Sequence, residues 1–306
     1  MAGPRGSGGH PCWYTLGPDD PRWPPLWQQM HDQPKLVTVG GDASLLGRRC
    51  VAIVGTRRAT QRGLAIARAL GRSLTEAGWI VVSGLAHGID GAAHRGALAA
   101  SGVTVAVIGT GIDRCFPAQH SSLQRQIQTS GCVVTELPRG APPNRWHFPR
   151  RNRLIAGLCE GVIVVEAPQR SGALLTAMLA MEMDREVFAV PGPIDSQMSR
   201  GCHHLLREGA NLLETPADLH QVLTPPTVPE CARQAVTGGG WHLLPMPGSA
   251  ARWIFDRLDL DGVAHDELQE RWSGSRSAWL EGLLALEMAG LVQRLPGGLL
   301  ARRESI

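Results

Sequence analysis

A short apolar run followed by glycine and two arginines offers chemistry suited to an anion. Val51–Val54 is wholly apolar, Gly55 ends the run, and Thr56, Arg57 and Arg58 follow. Such a run is typical of a buried parallel strand, and an amphipathic helical pattern begins a few residues later. A strand-to-helix turn gathers backbone N–H groups and the positive end of a helix dipole, so it suits phosphate, and arginine adds bidentate donors. An ordinary turn with solvated arginines is the alternative for this stretch alone.

A second glycine-rich loop begins at Ser83-Gly84 and leads into another helical pattern. Glycine permits close backbone approach, so Ser83, Gly84 and the loop N–H groups can cradle an anion. His87, Asp90 and His94 raise the possibility of acid–base chemistry or metal binding, because Asp90 and His94 have i,i+4 spacing. No third ligand of suitable spacing follows. We therefore expect no metal and predict that Asp90 caps the helix or anchors the loop.

The stretch FPRRNR places arginines at the start of a helical pattern, directly after Trp146. It contains Phe148, Arg151, Asn152 and Arg153. This composition indicates a single-stranded nucleic-acid platform, in which arginines follow the phosphates and an aromatic ring stacks on a base. In the competing interpretation Phe148 belongs to the core and the arginines pair with acidic residues. We expect at least one arginine to do so.

A third helix opens with Ser171 and Gly172, small residues that suit an anion at a helix N-terminus. The chain has no Gly-x-x-x-x-Gly-Lys-Ser/Thr loop and no Gly-x-Ser-x-Gly elbow. A Gly-x-Gly-x-x-Gly followed by a ribose-binding acid is also missing after the first strand. A strand edge rich in arginine and glycine, without paired catalytic groups, favours binding over catalysis. We therefore predict no enzyme activity, no catalytic residues and no cofactor.

Composition is compatible with a soluble cytoplasmic protein. The 306 residues are 43% hydrophobic and carry a net charge of +3, which does not by itself indicate nucleic-acid binding. Lys35 is the sole lysine among 30 basic residues, so arginine dominates, although a GC-rich coding sequence would also explain that bias. The seven cysteines are scattered and predict neither disulfides nor zinc. There is no secretion signal and no apolar run long enough to span a membrane.

Short apolar runs alternate with helical patterns through most of the chain. The predicted strands are Val51–Val54, Pro34–Val39, Trp79–Ser83, Val103–Ile108, Cys132–Thr135, Val162–Val165 and Glu186–Val190. Such alternation predicts an α/β fold, a Rossmann-like parallel sheet with helices on both faces. Loops that follow parallel strands share one edge of the sheet, where ligands bind. The candidate loops above therefore converge.

Composition divides the chain into four regions. Residues 1–46 are a Trp- and Pro-rich extension, and we predict that residues 47–222 form a Rossmann-like DNA-binding domain. Residues 223–248, rich in proline and glycine, read as a linker. Residues 249–306 predict a winged-helix domain, with three helices and a hairpin turning at Pro296–Gly298.

Together these motifs resemble the DNA-processing protein A family, DprA/Smf. The resemblance spans roughly residues 40 to 220 and rests on GTR (Gly55–Arg57), VVSGLAHGIDGAAH (Val81–His94), GTGIDRCFP (Gly109–Pro117), FPRRNRLIAGL (Phe148–Leu158), VVEAPQRSGALLTA (Val164–Ala177), VFAVPG (Val187–Gly192) and LLREGA (Leu205–Ala210). The C-terminal region resembles the winged-helix domain of many members. We expect the N-terminal sterile-alpha-motif-like domain found in some members to be reduced or absent here.

The resemblance implies an extended Rossmann domain that binds single-stranded DNA, dimerises and loads the RecA recombinase during natural transformation. It implies that Arg57 binds a phosphate and that Phe148 stacks on a base. Four further residues would supply backbone or hydroxyl donors: Gly55, Thr56, Ser83 and Gly84. Arg151, Asn152 and Arg153 would line or brace the pocket. Ser171 and Gly172 complete the predicted DNA-binding set, because the start of their helix suits an anion.

The implied dimer contact is the last helix–strand unit, from Gly201 to Leu213, with His203, Leu206 and Leu212. The chain departs from the family pattern at Thr56, where serine is usual, and at Phe116, where tyrosine is common. His203 stands where asparagine is common. Thr56 keeps its hydroxyl group, whereas the other two changes leave the details of the pocket rim and dimer edge open.

Two alternatives belong to other functional classes. Phosphoribohydrolases of the related lysine-decarboxylase-like Rossmann group also have glycine-rich strand ends. They need a PGG-x-GT-x-x-E loop, where this chain has RSGALLTAMLAME with Glu182 loosely placed. Alternatively, the winged helix would act on duplex DNA. Its predicted recognition helix, from Ser275 to Leu286, has Arg276 as its single base-reading cation and several leucines, which favours a protein partner.

Overall fold

The computed structural model of the protein describes residues 13–100, 103–226, 250–258, 263–288, 291–295 and 299–302. The described residues belong to two compact units divided at residue 240. Most of the predicted linker, and the predicted hairpin turn at residues 296–298, lie outside the described residues.

Nine described strands form one sheet in the first unit. They are β1 (Trp13–Leu16), β2 (Val37–Gly41), β3 (Cys50–Val54), β4 (Ile80–Ser83), β5 (Thr104–Val107), β6 (Cys132–Thr135), β7 (Gly161–Val164), β8 (Glu186–Ala189) and β9 (Asn211–Leu212). Their order is β1-β2-β6-β5-β4-β3-β7-β8-β9, and β3 to β9 are parallel. The chain moves from β3 toward β6 and then crosses back to β7, so its switch point lies between β3 and β7. A ligand cleft is expected at the carboxyl ends of these two strands.

The N-terminal segment is continuous with this sheet. β1 pairs antiparallel with β2, which pairs antiparallel with β6. The indole Nε1–H of the fully buried Trp27 donates to the carbonyl of Leu154, 3.1 Å away. The described part of the predicted extension, residues 13–46, therefore belongs to the first unit, where Trp23 and Trp27 are buried.

Eight described helices accompany the sheet. They are α1 (Pro25–Gln28), α2 (Gln61–Glu76), α3 (Ile89–Ala100), α4 (Ser121–Ser130), α5 (His147–Leu158), α6 (Gly172–Glu182), α7 (Arg200–Arg207) and α8 (Pro216–Val222). The side chain of Thr60 caps α2 by accepting the Gly63 N–H at 3.0 Å. Ala67, Leu70 and Leu74 then give α2 a buried apolar stripe, as the 3.6-residue helical period requires.

Alternation along the strands produces two apolar layers. On β5, Val105 and Val107 belong to the larger cluster, which includes Leu154 and Ile155 of α5. Ala106, between them, belongs to a separate cluster with Leu123 of α4. Because successive side chains of a strand point to opposite faces, helices cover both faces of the sheet. The predicted α/β architecture is confirmed.

The second unit is a small helical module with a three-stranded antiparallel sheet. Its elements are α9 (Ala250–Phe255), β10 (Val263–Ala264), α10 (His265–Glu270), α11 (Arg276–Met288), β11 (Val292–Leu295) and β12 (Leu299–Arg302). Trp279 and Leu283 of α11 are buried, whereas Leu280 and Leu284 are 54% and 58% exposed. This arrangement is a winged helix. No described helix in the protein has the length and apolar character needed to cross a membrane.

Candidate nucleic-acid interface

A cleft of about 650 Å³ opens at the predicted switch point of the sheet. It lies between the loops that follow β3 and β7 and the start of α5. Its wall includes eight of the eleven predicted site residues: Gly55, Thr56, Arg57, Phe148, Arg151, Asn152, Ser171 and Gly172. The structure therefore gathers into one cavity residues that are up to 117 positions apart in the chain (172 minus 55).

The loop after β3 is held rigidly by Glu166, the residue that follows β7 and Val165. The Thr56 N–H donates to the Glu166 carbonyl at 2.7 Å, while the Glu166 carboxylate accepts the Thr60 N–H at 2.9 Å. The Thr56 hydroxyl oxygen accepts the Arg58 N–H at 3.2 Å. These bonds fix the backbone and leave the Arg57 side chain exposed. They also use the Thr56 N–H, so a ligand meets this loop chiefly through its arginines.

Ser83 and Gly84 lie behind the cleft wall, which corrects the prediction that they donate to an anion. Ser83 is fully buried, and its hydroxyl donates to the Ile53 carbonyl at 2.6 Å. The Gly84 N–H donates to the Asp90 carboxylate at 3.1 Å, and the Ala86 N–H approaches the same oxygen at 3.4 Å. The Ser83 hydroxyl and the Gly84 N–H therefore already have partners within the protein, because the loop after β4 packs against the end of β3 and its own helix start. Asp90 anchors the loop.

The second loop also packs against the first through an unusual backbone. Leu85 has a φ of 58°, a left-handed conformation that costs free energy for a side chain larger than glycine. Gly88 has a φ of 76°, and a Cβ there would collide with the Thr56 carbonyl oxygen. Glycine is therefore required at residue 88 for the two loops to meet.

Arg151 joins three elements from within the cleft wall. Its guanidinium donates to the carbonyls of Gly84, at 2.6 Å, and Val107. Burial lowers the Arg151 pKa to about 10, which still leaves it charged at neutral pH. Burial raises the pKa of the Asp90 carboxyl, and the nearby Arg151 charge opposes that rise. Arg151 thus braces the ends of β4 and β5 while lining the cleft.

Arg153, two residues later, points away from the cleft. It forms an ion pair with Glu136 at 2.6 Å and donates to the Asp32 carbonyl, also at 2.6 Å. Its side chain is 8% exposed. Arg153 is therefore the arginine that the sequence expected to pair with an acid. It braces α5 against the strand edge and does not line the pocket.

Phe148 stands in the cleft with one cation and one aromatic neighbour. The Arg57 guanidinium carbon lies 4.9 Å from the centre of its ring, and the Phe116 ring lies 5.5 Å away. Its side chain is half-buried, and a Cβ at Gly109 would touch the ring edge at 3.0 Å. The ring thus packs closely against the backbone at Gly109 and lines the cleft beside Arg57. Such geometry suits base stacking.

Asn152, Ser171 and Gly172 meet on the opposite wall. The Asn152 side-chain amide donates to the Gly172 carbonyl at 3.1 Å. The Ser171 hydroxyl caps α6 by accepting the Ala173 N–H at 3.2 Å. No atom within 4 Å would obstruct a Cβ at Gly172, so the start of α6 is open to the cleft.

Four further cleft residues are absent from the predicted site. Arg58, Arg145, Arg170 and Phe116 line the cavity, and all four are exposed. Phe116 and Arg170 lie within quoted motifs, while Arg58 and Arg145 lie one to three residues from a motif, so the motifs themselves could have indicated all four. The described cleft wall thus carries exposed cations at positions 57, 58, 145 and 170, none of which forms an ion pair with a described residue. Asp90 is the only carboxylate among the described lining residues, and it is buried.

His94 and His120, near the second loop, each make one structural contact through Nδ1. His94 is fully buried, its Nδ1 lies 2.9 Å from the Thr104 hydroxyl, and burial lowers its pKa to about 3. The His120 Nδ1 lies 2.9 Å from the Leu85 carbonyl. Among the described residues, no group of three His, Cys, Asp or Glu side chains is placed to hold a metal ion.

The predicted dimer residues lie at the far edge of the sheet. The His203 Nε2 is 3.0 Å from the Gly192 carbonyl, and Leu206 packs partly against the core. Leu212, on the edge strand β9, is 47% exposed. None of these three residues lines the cleft.

Known proteins match this chain over both units. The sequence model described as DNA recombination-mediator protein A matches residues 14–224, and that described as the DprA winged helix domain matches residues 244–298. Protein Smf of Escherichia coli is 35% identical and aligns over 96% of this chain and 80% of its own length. The DNA processing protein DprA of Streptococcus pneumoniae is 46% identical over 62% of this chain and 67% of that protein.

Two solved structures share the fold. The X-ray structure of DNA processing protein A from Streptococcus pneumoniae superposes with a TM-score of 0.67, at 41% identity, over 71% of this chain and 75% of that one. DNA processing protein A from Helicobacter pylori, described for its single-stranded DNA binding mode, gives a TM-score of 0.63 at 29% identity. That alignment covers 70% of this chain and 96% of the Helicobacter chain. The first model covers more than half of the chain and the winged helix is matched by the second, so the chain belongs to the DNA recombination-mediator protein A family.

Proposed function

We propose that this protein binds single-stranded DNA in the cleft at the carboxyl edge of its sheet. The observation that carries the proposal is the set of four exposed arginines, free of ion pairs among the described residues, around one cleft that also contains Phe148. Phosphates need cations that are not already neutralised, and an unpaired base needs a ring on which to stack.

Two kinds of contact contribute to binding: ionic contacts to phosphates and stacking on a base. Arg57, Arg58, Arg145 and Arg170 neutralise phosphates, while the ring of Phe148 stacks on a base. Arg57 lies beside the Phe148 ring, so it reaches the phosphate of the nucleotide whose base is stacked there. The Asn152 amide, the side chain best suited to pair with one base, is already engaged: its NH2 donates to the Gly172 carbonyl and its oxygen accepts from the Arg151 guanidinium. We therefore expect little sequence preference.

The protein acts on DNA without catalysis. The only described carboxylate in the cleft, Asp90, is buried and accepts loop N–H groups, so it is not placed as a general base for a substrate. This supports a binding role over the phosphoribohydrolase alternative. That alternative predicts release of free base from nucleoside monophosphates, which a chromatographic assay measures.

The family resemblance adds partners and a cellular role. We propose that the protein is a cytoplasmic homodimer that protects incoming single-stranded DNA and loads the RecA recombinase onto it during natural transformation. β9 is an edge strand with unpaired backbone groups on one side, which supports dimerisation through α7 and β9. The variant Leu212→Arg should then shift the mass measured by light scattering from dimer to monomer, because a charge would enter the contact.

The first test is fluorescence anisotropy of a labelled oligothymidine over a series of salt concentrations, beside a duplex of equal length. For single strands the slope of log K against log salt is about −0.7 per phosphate neutralised, so four arginines predict a slope of about −3. Binding of the single strand that weakens in this way, with weak duplex binding, is the expected result. No binding of the single strand at low salt would overturn the proposal.

A further inference from the structure

Trp146 is the most exposed tryptophan that the structure describes, and it stands beside the cleft. Its side chain is 66% exposed, whereas Trp23, Trp27, Trp79 and Trp279 are buried. It directly follows Arg145, a lining residue, and precedes Phe148 by two positions. An indole that keeps most of its surface in water contributes little to packing, so core stability does not account for its position.

A backbone turn holds Trp146 in place. Its N–H donates to the Asn144 side-chain oxygen at 3.1 Å, and the His147 N–H donates to the Asn144 carbonyl at 2.9 Å. Trp146 is itself the N-cap of α5, with φ and ψ of −78° and −20°. The Trp146 backbone is therefore fixed at a helix end, although its ring faces solvent. A stacking surface needs such preorganisation.

Trp146 also carries a cation from the cleft wall. The Arg145 guanidinium carbon lies 4.6 Å from the centre of the Trp146 ring. The tryptophans that arginines approach elsewhere, such as Trp79 and Trp13, are buried or half-buried. At Trp146, by contrast, an exposed ring and an exposed guanidinium form one surface. That pairing of aromatic face and cation is the combination that grips single-stranded nucleic acid.

The helix geometry separates this surface from Phe148. Residues two apart in a helix project about 200° from each other around the axis, so the Trp146 and Phe148 rings do not face the same base. Of these two rings, Phe148 lines the cleft, whereas Trp146 is joined to the cleft wall through Arg145.

We propose that Trp146, together with Arg145, stacks a second base of the single strand where it leaves the cleft. This inference rests on the proposed function of the cleft and extends it by one subsite of stated chemistry, an unpaired base with its adjoining phosphate. It assigns Phe148 to a base inside the cleft and Trp146 to a base outside it.

The test compares Trp146→Ala, Trp146→Phe and wild type on two oligothymidines, one of about four nucleotides and one of about twenty, near the limits of single-strand site sizes. With the longer strand, Trp146→Ala should raise Kd about fivefold or more, the loss expected for one stacked base. Trp146→Phe should restore most of the affinity. The shorter strand should bind all three proteins alike, because it fills the cleft without reaching Trp146.

Val222→Ala is the matched control for removing an exposed apolar side chain. Val222 ends α8 and is 42% exposed, and its neighbour Leu223 lies against Gly161 at the start of β7, the opposite edge of the sheet from the cleft. The affinity of the Val222→Ala variant for both oligothymidines should equal that of wild type. Thermal unfolding of every variant should match wild type, since neither side chain is buried.

Photocrosslinking gives a second readout that a merely structural role would not produce. A strand carrying one 5-iodouracil at successive positions should crosslink to Phe148 from one position and to Trp146 from another, as mapped by mass spectrometry. If wild type binds the longer strand but Trp146→Ala binds it equally well, and no position crosslinks to Trp146, the inference is wrong while the cleft proposal stands. If wild type binds neither strand, the proposed function itself is wrong.

Discussion

Two arginines stack on aromatic rings at opposite edges of the same sheet. At the carboxyl edge, Arg57 lies 4.9 Å from the centre of the Phe148 ring. At the amino edge, Arg49 lies 4.7 Å from the Trp79 ring, but it also forms an ion pair with Glu160 and donates to the Thr224 carbonyl. The Trp79 indole in turn donates to His220 at 3.3 Å.

The difference lies in the partners of the cation rather than in the cation–ring pair. The guanidinium of Arg49 is satisfied by groups of its own chain, so it ties α8 and β7 to the start of β3. The guanidinium of Arg57 has no such acid among the described residues and stays exposed. Similar local pairs therefore serve stability at one edge and are available to a ligand at the other.

Arg153 offers the strongest test, because it lies near the carboxyl edge yet pairs with an acid as Arg49 does. Replacing it by Met should lower the free energy of unfolding by about 3 kcal/mol, since Glu136 would lose the partner of a largely buried ion pair. Urea unfolding measures this. The remaining folded protein should bind oligothymidine like wild type, and a selective loss of DNA affinity without loss of stability would contradict the structural role.

Arg57→Ala should weaken DNA binding and leave stability nearly unchanged, the reverse of the pattern expected for Arg153→Met. We expect the free energy of single-stranded DNA binding to weaken by about 1.5–3 kcal/mol, the range for hydrogen bonds to a charged group, with unfolding changed by less than about 0.5 kcal/mol. Anisotropy and urea unfolding on the same preparation measure both quantities. The salt slope should also become shallower by about 0.7. Unchanged affinity would remove Arg57 from the site.

Arg49→Ala is the matched partner of that variant. Its pair with Glu160 is partly exposed, so its loss should cost about 1 kcal/mol of unfolding free energy, including the contact with Trp79. DNA affinity and salt slope should be those of wild type. An equal loss of DNA affinity in Arg49→Ala and Arg57→Ala would show that the two edges do not differ in the way proposed.

The smallest expected effect is the part of the pH dependence of stability that His220 contributes at the amino edge. Burial lowers the pKa of His220, so the folded protein binds this proton less readily than the unfolded chain, whose histidine titrates near pH 6.5. The stability that this histidine contributes is therefore present above about pH 6.5 and is lost as the pH falls through that region. His220→Gln should show a shallower loss between about pH 7.5 and 5.5 in urea unfolding. Identical pH profiles would exclude His220 as a contributor.

Local sequence patterns were sufficient for much of the fold. Apolar β-branched runs placed β3, β4, β5, β6, β7 and β8 to within about two residues of the observed strands, because strand and helix periods are local properties. The motifs also identified Arg57 and Phe148 as cleft residues, because glycine, arginine and aromatic residues at the start of a helical pattern are visible in the local sequence. The family followed from those motifs in order.

Tertiary structure decided which members of each motif face the cleft. Arg151 and Arg153 are two residues apart, yet only Arg151 lines the cavity, since the partner of Arg153 is Glu136 on another strand end. Likewise, the inward contacts of Ser83 depend on the neighbouring strand β3. Ion pairing and burial are set by residues distant in the chain, so periodicity and spacing carry no information about them. The sequence by itself determined the strands, the loops and the family, whereas only the packed sheet decided which arginines stay exposed and unpaired in the cleft.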